Sequence, residues 1–277
     1  MPINHLKKII KSIEGNPNCE RIAPSDNVKS YVEGFYIFSC DDLEENQLVF
    51  NDGLPTIIFL PSITDRINIH NNSSLITFQT AWINGGIMKN VYVNDLNKVE
   101  SVLVVRFKPY AFYDIFNLPT RFFRNKDVAS LADIRFDPFV LNQIYSEKQN
   151  SNRIRQIESY IKQIASTSKY NHSLFDSAIE YINAMKGQTT VLHVVHQIGV
   201  NYKWLERSFL TCLGISPKEY ILLQRFIFAY INFTDSKNKD LTEVALASGF
   251  YDYNHFLKEF KSYTGKTPLE YFTTLSE

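Results

Sequence analysis

Cysteine is scarce in this sequence. The chain has 3 cysteines, Cys19, Cys40 and Cys212, which lie far apart and never in a CxxC pair. Disulfide frameworks and structural zinc sites need paired cysteines at short, regular spacings. The sequence therefore predicts neither, and it favours three reduced thiols in a cytoplasmic protein.

Long apolar runs are missing as well. No stretch approaches the roughly 20 apolar residues that a membrane-spanning helix needs. Residues 6–13 have the pattern of a short amphipathic helix, but Lys7, Lys8 and Lys11 interrupt it, so it lacks the apolar centre of a secretion signal. We expect a cytoplasmic protein that does not enter a membrane.

Neither sign of charge is in excess. The chain has 29 Lys and Arg residues against 29 Asp and Glu residues, and from residue 171 onward ten basic residues stand against eleven acidic ones. Nucleic-acid-binding domains are often clearly basic. A prediction of DNA binding must therefore come from motifs and from the placement of individual charges, and we expect a modest, salt-sensitive affinity.

Histidine is rare before residue 170, where only His5 and His70 occur and no HxH pair exists. A metal-dependent enzyme on a β-barrel needs clustered histidines and carboxylates from neighbouring strands. His193 and His196 lie three residues apart, but on a short helix whose polar face is expected to meet solvent. Nucleophile-elbow, P-loop and dinucleotide motifs are also missing. We predict no catalytic residues, no cofactor and no bound metal.

The residues from about 30 to 108 combine short β-type runs with turn residues. The runs are 30–40, 56–60, 75–80, 91–93 and 101–107. Stretches rich in Asn, Gly and Ser separate them, as at 51–53, 71–74 and 84–86. Many short strands at this spacing predict a small antiparallel barrel or sandwich. From Ala111 onward the pattern becomes helical.

Residues 152–168 are predicted to form a helix with one apolar stripe. The stripe consists of Ile154, Ile157, Ile161 and Ile164. It fits two roles that the sequence does not separate, which are packing against its own domain and forming the seam of a dimer. The polar stretch 167–173 is expected to be a linker.

The most informative feature is a repeat near the C-terminus. Residues 214–220, Gly-Ile-Ser-Pro-Lys-Glu-Tyr, match residues 265–271, Gly-Lys-Thr-Pro-Leu-Glu-Tyr, at an offset of 51. The same offset relates Asn201 to Asp252, Leu205 to Phe256, Arg207 to Lys258 and Phe209 to Phe260. Matches in a single register indicate two copies of one supersecondary unit.

Each copy has the pattern of a helix, a glycine turn and a capped helix. The copies span about 189–214 and 240–265. The turn glycine, the N-cap and the final glycine are Gly199, Asn201 and Gly214 in the first copy and Gly249, Asp252 and Gly265 in the second. This is the pattern of a helix-turn-helix motif, whose second helix enters the major groove of DNA.

The helices predicted to read DNA are about 202–213 and 253–264. Polar and aromatic side chains are expected on their exposed faces. They are Tyr202, Lys203 and Arg207 on the first helix and Tyr253, Asn254, Lys258 and Lys261 on the second. Arginine suits guanine, asparagine suits adenine, and lysine suits guanine or phosphate.

Between the two copies, residues 216–233 are dense in apolar side chains. They predict one continuous helix that Ser216 caps, with Pro217 at its first position. Such a helix would hold the two units at a fixed separation. Reading two successive major grooves on one face of DNA requires about 34 Å, and a rigid spacer predicts some bending of the duplex.

These motifs resemble the AraC/XylS family of transcription regulators. The residues that carry the resemblance are 249–256, 260–261 and 263–268 within 241–268, and 205–207, 209 and 214–217 in the first unit. The resemblance covers about residue 173 to the C-terminus. It implies two helix-turn-helix subdomains on a linking helix that bind promoter DNA.

The resemblance also implies which residues face the bases. They are Lys203, Glu206 and Arg207 in the first unit and Tyr253, Asn254, Leu257 and Lys258 in the second. Glu206 departs from the family pattern because it is acidic, although a carboxylate can accept from cytosine. Leu257 departs from it because it is apolar, although it can contact a thymine methyl group. Both departures leave the target sequence open.

The N-terminal half resembles the cupin-like sensor domain that often precedes this DNA-binding domain. The residues that carry the resemblance are 31–38, 52–59 and 104–109. Such domains hold a small effector or a dimer contact. Phe35, Tyr36 and Phe59 are aromatic residues that suit a pocket lining or, more simply, core packing.

The sequence thus predicts an α+β protein of two domains. Residues 1–168 form a cupin-like antiparallel β barrel or sandwich with helices, and residues 169–277 form an all-α domain of two helix-turn-helix subdomains. We expect a sequence-specific regulator that binds double-stranded promoter DNA and is controlled by a small-molecule effector or by homodimerisation. RNA polymerase is a further partner of such a protein. The alternatives are an effector-independent dimeric DNA-binding protein and a cupin-type enzyme fused to a DNA-binding domain.

Overall fold

The computed structural model describes residues 1–11, 17–41, 43–71, 74–124, 126–165, 173–235 and 240–274. The chain divides into two compact units, Met1–Ser168 and Lys169–Glu277. The first combines strands and helices, and the described part of the second is helical. The predicted α+β class, with a β-rich N-terminal half and a helical C-terminal half, is confirmed.

The described strands of the first unit form two antiparallel sheets. In chain order they are β1 (Cys19–Ile22), β2 (Val32–Ser39), β3 (Asn46–Leu48), β4 (Thr56–Phe59), β5 (Arg66–His70), β6 (Leu75–Gln79), β7 (Ala81–Asn84), β8 (Tyr92–Asn94), β9 (Ser101–Phe107) and β10 (Val128–Ala129). The larger sheet has the order β1-β2-β9-β4-β7-β10, and the smaller one has the order β3-β8-β5-β6. Short strands in antiparallel sheets are what the spacing of the β-type runs predicted.

One face of the larger sheet contributes to a hydrophobic core. In the register of β7, β4 and β9, Ile57 lies between Ile83 and Val105. All three belong to one buried cluster that also contains side chains from the helices that follow the sheet. Because neighbouring residues of a strand point to opposite faces, the register partners Thr56 and Arg106 lie on the other face.

Arg106 is the centre of a buried ion-pair cluster. Its Nη2 donates to Asp52 Oδ2 at 2.8 Å, its Nε donates to Glu33 Oε2 at 3.1 Å, and the hydroxyl of Tyr36 donates to the same carboxylate. Burial acts to lower the pKa of Arg106, but the charges of Asp52 and Glu33 outweigh it and raise that pKa. Removing a partner would leave a buried charge uncompensated, so this cluster serves the fold.

The described α-helices of the first unit are α1 (Ile3–Lys11), α2 (Ala111–Ile115), α3 (Pro138–Ser146) and α4 (Asn150–Ile164). The last three contribute side chains to the core on the larger sheet. The isoleucine stripe lies on α4, where Ile154, Ile157 and Ile161 are 5%, 2% and 1% exposed and belong to the buried cluster. Packing against its own domain is therefore the role that the structure gives the stripe.

The end of α4 corrects a predicted boundary. The helix ends at Ile164, because Ala165 already has an extended backbone, whereas the sequence predicted a helix as far as residue 168. The predicted linker 167–173 falls mostly on residues 166–172, which lie outside the described residues. Ser173 is not part of a linker, since it begins the next helix.

Seven helices make up the described part of the second unit. They are α5 (Ser173–Ala184), α6 (Val191–Ile198), α7 (Tyr202–Cys212), α8 (Pro217–Asp235), α9 (Leu241–Ala247), α10 (Tyr253–Thr264) and α11 (Pro268–Thr274). The first recognition helix ends at Cys212, one residue before the predicted end, and the second has the predicted bounds. The continuous helix predicted between the two copies is α8, which has 19 residues.

Candidate nucleic-acid interface

The first helix-turn-helix unit consists of α6, a glycine turn and α7. Thr190 caps α6 by accepting a hydrogen bond from the backbone N–H of His193 at 3.2 Å. Gly199 ends α6 with a φ of 73°, a conformation that suits glycine because it has no Cβ. Asn201 then caps α7 by accepting from the backbone N–H of Trp204 at 2.8 Å. These local interactions fix where both helices begin and where the chain turns.

The recognition helix α7 is amphipathic. Leu205 and Phe209, one turn apart, are fully buried, and they anchor the helix in the core of the unit. Tyr202, Lys203 and Arg207 are exposed. Lys203 and Arg207 also lie one turn apart, so their side chains project from the same side of the helix.

The second helix-turn-helix copy, residues 240–265, repeats this construction with acidic caps. Asp240 accepts from the backbone N–H groups of Thr242 and Glu243 and begins α9. Gly249 makes the turn with a φ of 82°. Asp252 accepts from the backbone N–H of His255 at 2.7 Å and begins α10. A carboxylate at a helix N-terminus satisfies free N–H groups and interacts favourably with the helix dipole.

The recognition helix α10 buries an aromatic stripe and exposes polar side chains. Phe256, Phe260 and Tyr263 are at most 1% exposed, and burial raises the pKa of Tyr263. The exposed residues are Asn254, Lys258 and Lys261. Half-buried positions are Tyr253 and Leu257 on α10, and Glu206 on α7. The nine predicted DNA-contacting residues thus all lie on α7 and α10, and none is in the core.

Three of the four basic side chains on α7 and α10 have no acidic partner among the described residues. Within the described residues, Lys203, Arg207 and Lys258 form no salt bridge. Lys261 lies near Glu270, whose pKa is lowered chiefly by hydrogen bonds from Thr267 and to a smaller extent by this lysine. Positive side chains without internal partners are suited to pair with phosphates or with guanine.

The sequence repeat is also a repeat of hydrogen bonds. In the first copy, Ser216 Oγ accepts from the backbone N–H of Glu219, and the Glu219 carboxylate accepts from the backbone N–H of Ser216 at 2.8 Å. In the second copy, Thr267 and Glu270 make the same reciprocal pair, also at 2.8 Å for the carboxylate contact. Both are capping boxes, and they begin α8 and α11 at equivalent places.

The aromatic cores of the two copies match as well. In the first copy Phe209 contacts Phe175 and Tyr220, with ring centroids 5.2 and 5.6 Å apart. In the second copy Phe260 contacts Phe226 and Tyr271 at 5.7 and 5.6 Å. Each pair of equivalent residues is related by the offset of 51. The repeat therefore extends upstream to α5, which the sequence analysis missed although Phe175 and Phe226 carried the signal.

The loop before α6 joins the two copies. Arg225 of α8 donates from Nε and Nη2 to the carbonyl of Gly187 at 3.0 and 2.9 Å, and from Nη2 to the carbonyl of Thr189 at 3.2 Å. Gln188 Nε2 donates across to the carbonyl of Ala247 in α9 at 3.0 Å. Burial lowers the pKa of Arg225. This arginine therefore acts as a structural joint, a role that sequence reasoning did not assign.

Gly187 is the position on which that joint depends. It has a φ of 70°, and a Cβ at this residue would lie 2.3 Å from the backbone nitrogen of Arg225. Both the backbone conformation and the close approach of α8 require glycine. The first copy is therefore held tightly against the linking helix.

The first unit has a groove that suits a small molecule. Its volume is about 590 Å³, and its walls come from β5, β6, β10 and the segment 126–133. Lys126 lies at its edge and pairs with Asp133 at 2.7 Å. Phe35, Tyr36 and Phe59 do not line it, since all three are at most 1% exposed and pack in the interior.

The described residues contain neither a metal-binding cluster nor a membrane-spanning helix. Within the described ranges, no group of three or more His, Cys, Asp or Glu side chains is arranged to hold a metal ion. None of the described helices is long and apolar enough to span a membrane. The three cysteines are buried thiols.

Two protein families match the chain. Residues 194–274 match the family described as "Helix-turn-helix domain", a segment that holds both recognition helices. Residues 20–129 match a family described as a domain of unknown function, DUF6597. No curated protein sequence matches the chain.

Solved regulators have a distant likeness to the chain. ToxT from Vibrio cholerae O395 is 16% identical with a TM-score of 0.43, over 93% of this chain and 96% of that one. ToxT from Vibrio cholerae strain SCE256 with a bound unsaturated fatty acid is 16% identical with a TM-score of 0.42, over 92% and 93%. The AraC-like transcriptional activator CuxR is 13% identical with a TM-score of 0.25, over 78% and 88%. These scores are too low to assign a common fold on their own.

The internal repeat identifies the domain more directly than these distant likenesses do. Two capped helix-turn-helix copies share one hydrogen-bonding pattern and one aromatic core, and the helix-turn-helix family covers both recognition helices. Residues 194–274 of the second unit therefore form a helix-turn-helix domain, the kind of domain that places a helix in the major groove of DNA.

Proposed function

We propose that the chain reads two successive major grooves of promoter DNA, with α7 in one and α10 in the next. The observation that carries this proposal is the doubling itself. Each copy has its own buried stripe that fixes the recognition helix and its own polar stripe that stays exposed. A single DNA-reading helix would not need a second copy with caps, a turn and an aromatic core at equivalent positions.

The side chains on the two helices have distinct parts in this proposal. Arg207 and Lys203 of α7 pair with guanine edges or with phosphates, and Asn254 of α10 pairs with adenine. Lys258 pairs with guanine or phosphate, and Lys261 neutralises phosphate. The remaining predicted contacts come from residues near these side chains. They are Tyr202, Glu206, Tyr253 and Leu257.

The linking helix supports reading of neighbouring grooves. At about 1.5 Å per residue, the 19 residues of α8 span roughly 28 Å. Successive major grooves on one face of DNA lie about 34 Å apart. Because α8 packs against both copies and Arg225 fixes the preceding loop, the helix suits a spacer of constant length. A small mismatch between spacer and groove separation would be met by bending the duplex.

Control of DNA binding is assigned to the first unit. Its groove of about 590 Å³ is within the usual volume range of small-molecule sites, so an effector can act there. Homodimerisation through the first unit is the second route, but the isoleucine stripe does not provide its seam because that stripe is buried in the core. Contact with RNA polymerase would follow once the protein is bound at a promoter.

The test is selection of random duplex DNA on the full chain, followed by a salt titration of the winning sequence. We expect two short conserved blocks about one helical turn apart. A parallel selection with Lys203→Ala and Arg207→Ala combined should lose one block and keep the other. Lys162→Ala, which removes an exposed positive charge from the first unit, is the matched control and should recover both blocks.

Two results would contradict the proposal. One is enrichment of a single block, which would mean that one copy alone reads sequence. The other is the absence of any enriched sequence, both with and without a pool of metabolites, since the pool supplies the effector that regulation through the first unit would need.

A further inference from the structure

A pocket in the second unit lies where the start of α6, one side of α8 and the start of α10 meet. It has a volume of about 390 Å³ and is enclosed by the start of α6, one side of α8 and His255 of α10. It is separate from the exposed faces of α7 and α10 that are proposed to read bases. We refer to it as the junction pocket.

The walls of the junction pocket are mostly apolar. Ile221 and Leu222 of α8 and Leu192 of α6 form its apolar surface. Leu192 is 69% exposed, so its side chain is open to a bound molecule. Exposed apolar surface that is concave and rimmed by polar groups marks binding sites.

The two charged side chains that line the pocket are both cationic. They are Lys218 and Arg225, which lie there with the imidazole of His255, and no Asp or Glu is among the described residues that line the pocket. The charge of the whole second unit is close to balanced, with ten basic residues against eleven acidic ones from residue 171 onward. The local excess of cations is therefore not a reflection of composition, and it favours an anion.

Arg225 and Lys218 can each donate a hydrogen bond to a further acceptor. Arg225 uses Nε and Nη2 on the carbonyls of Gly187 and Thr189, and within the described residues its Nη1 donates to nothing. Lys218 is exposed and forms no salt bridge with a described residue. The ring of His255 packs against Phe250 in a T-shaped contact, with ring centroids 5.4 Å apart.

Two backbone and hydroxyl features point the same way. Thr189 is 5% exposed, and its Oγ1 is buried with no hydrogen-bond partner among the described residues. At the N-terminus of α6, the cap satisfies the N–H of His193, whereas the N–H groups of Val191 and Leu192 have no acceptor in the described part of the chain. Unpaired donors at the positive end of a helix attract an oxyanion.

We propose that the junction pocket binds a small organic acid, in which a carboxylate meets Lys218, Arg225 and the start of α6 while an apolar body fills the space beside Leu192, Ile221 and Leu222. A phosphate of the DNA backbone has no apolar body and would leave those walls uncovered. The combination of cations with an apolar wall therefore favours a free amphiphilic anion over the duplex itself.

Occupancy of this pocket would affect DNA binding, a consequence that rests on the proposed function. The ligand contacts Arg225, which holds the loop before α6, and His255, which lies on the second recognition helix. The same loop reaches α9 through Gln188 and Ala247. A ligand that competes for the Arg225 guanidinium therefore alters how the two recognition helices are held relative to each other.

The binding test uses the full chain without DNA. Anilinonaphthalene sulfonate is the fluorescent probe, and naphthoate and the neutral naphthylmethanol are the competitors. We expect naphthoate to displace the probe from the pocket about tenfold better than the alcohol, a difference of about 1.4 kcal/mol. Leu192→Glu places a negative charge at the pocket and should weaken naphthoate binding about tenfold or more, because like charges repel at short distance.

A matched variant separates this effect from a general effect of the substitution. Leu246 is 54% exposed on α9 and does not line the pocket, so Leu246→Glu should leave naphthoate binding unchanged. Leu192→Glu should remain folded, since an acid in the first turn of a helix is favourable, and a melting curve checks this. Equal displacement by acid and alcohol, or equal losses in both glutamate variants, would overturn the proposal.

A second arm measures the coupling. With a duplex obtained by selection, saturating naphthoate should change the dissociation constant about threefold or more in the wild-type chain and have no effect in Leu192→Glu. If naphthoate binds but leaves DNA affinity unchanged, the regulatory part is wrong and the binding site stands. If naphthoate does not bind while DNA is still read at two blocks, the pocket proposal fails and the proposed function stands.

Discussion

The first helix-turn-helix unit, residues 189–214, carries two basic residues and one acidic one, whereas the second, residues 240–265, carries two basic residues and four acidic ones. The formal charges are therefore +1 and −2. The two units nevertheless share their turn glycines and the ring contacts of Phe209 and Phe260. The two copies therefore have equivalent interiors but different surface charges.

Much of this difference comes from the helix caps. In the first helix-turn-helix copy, Thr190 and Asn201 cap the helices with neutral oxygens. In the second copy, Asp240 and Asp252 cap them with carboxylates. A carboxylate stabilises a helix N-terminus, but it repels phosphates that approach the same end. The first helix-turn-helix copy is thus better suited to attract DNA electrostatically, and the second copy depends more on specific contacts to bind DNA.

The largest expected effect tests the shared interior. Phe209→Ala and Phe260→Ala each remove a fully buried ring that packs against other aromatic rings, and each should reduce the free energy of unfolding by about 3–5 kcal/mol. Urea denaturation of the full chain, followed by circular dichroism, measures both losses. If one variant were near neutral while the other lost this amount, the two cores would not be equivalent.

The next effect compares the charged faces. Arg207→Ala and Lys258→Ala should each weaken specific binding by about 1–3 kcal/mol where the side chain pairs with a base. A side chain that neutralises a phosphate instead should reduce the salt dependence of binding when it is removed. Titration of fluorescent duplexes at several salt concentrations gives both quantities, with Lys162→Ala as control. Equal losses on every DNA sequence would reduce either residue to a phosphate contact.

A smaller effect tests the caps as supports of the fold. Asn201→Ala and Asp252→Ala each leave an N–H group of the recognition helix without its acceptor, and each should cost about 1 kcal/mol of stability. Thermal melting in parallel with the wild-type chain measures this. Serine at either position keeps a capping oxygen and should restore most of the loss, whereas failure of serine to do so would show that the cap is not the cause.

The smallest effect exchanges the charges of the caps. Asp252→Asn keeps a capping oxygen but removes a negative charge, so DNA affinity should rise by a few tenths of a kcal/mol. Asn201→Asp adds a negative charge in the first helix-turn-helix copy and should lower the affinity for DNA by a similar amount. Competition binding at low salt resolves such differences. A change of the same sign in both variants would contradict the role given to the caps.

The helical unit, Lys169–Glu277, was largely predictable because the sequence features that determine its structure are local. The caps Asn201 and Asp252 and the turn glycines act within a few residues of where they stand in the sequence. The offset of 51 then links the two copies without knowledge of the fold. What escaped prediction there depends on contacts between distant residues, such as Arg225 with the carbonyl of Gly187, and has no local signature.

The first unit was predictable only in outline. Strand β5, with the sequence Arg-Ile-Asn-Ile-His, buries Ile67 and Ile69 between polar neighbours, and its three polar residues hid a regular alternation. Strand β7 is buried throughout, but it is only four residues long and ends before two glycines. Short strands owe their conformation to the partners beside them, so sequence pattern alone did not reveal them.

The most direct test of two-groove reading is a spacing series on the selected duplex. About five base pairs inserted between the two blocks turn one block to the opposite face of the DNA, and about ten restore the face but lengthen the separation by about 34 Å. Because α8 is one continuous helix, we predict that both insertions reduce affinity to that of a duplex with a single block. Full affinity after either insertion would show that α7 and α10 do not read the two blocks together.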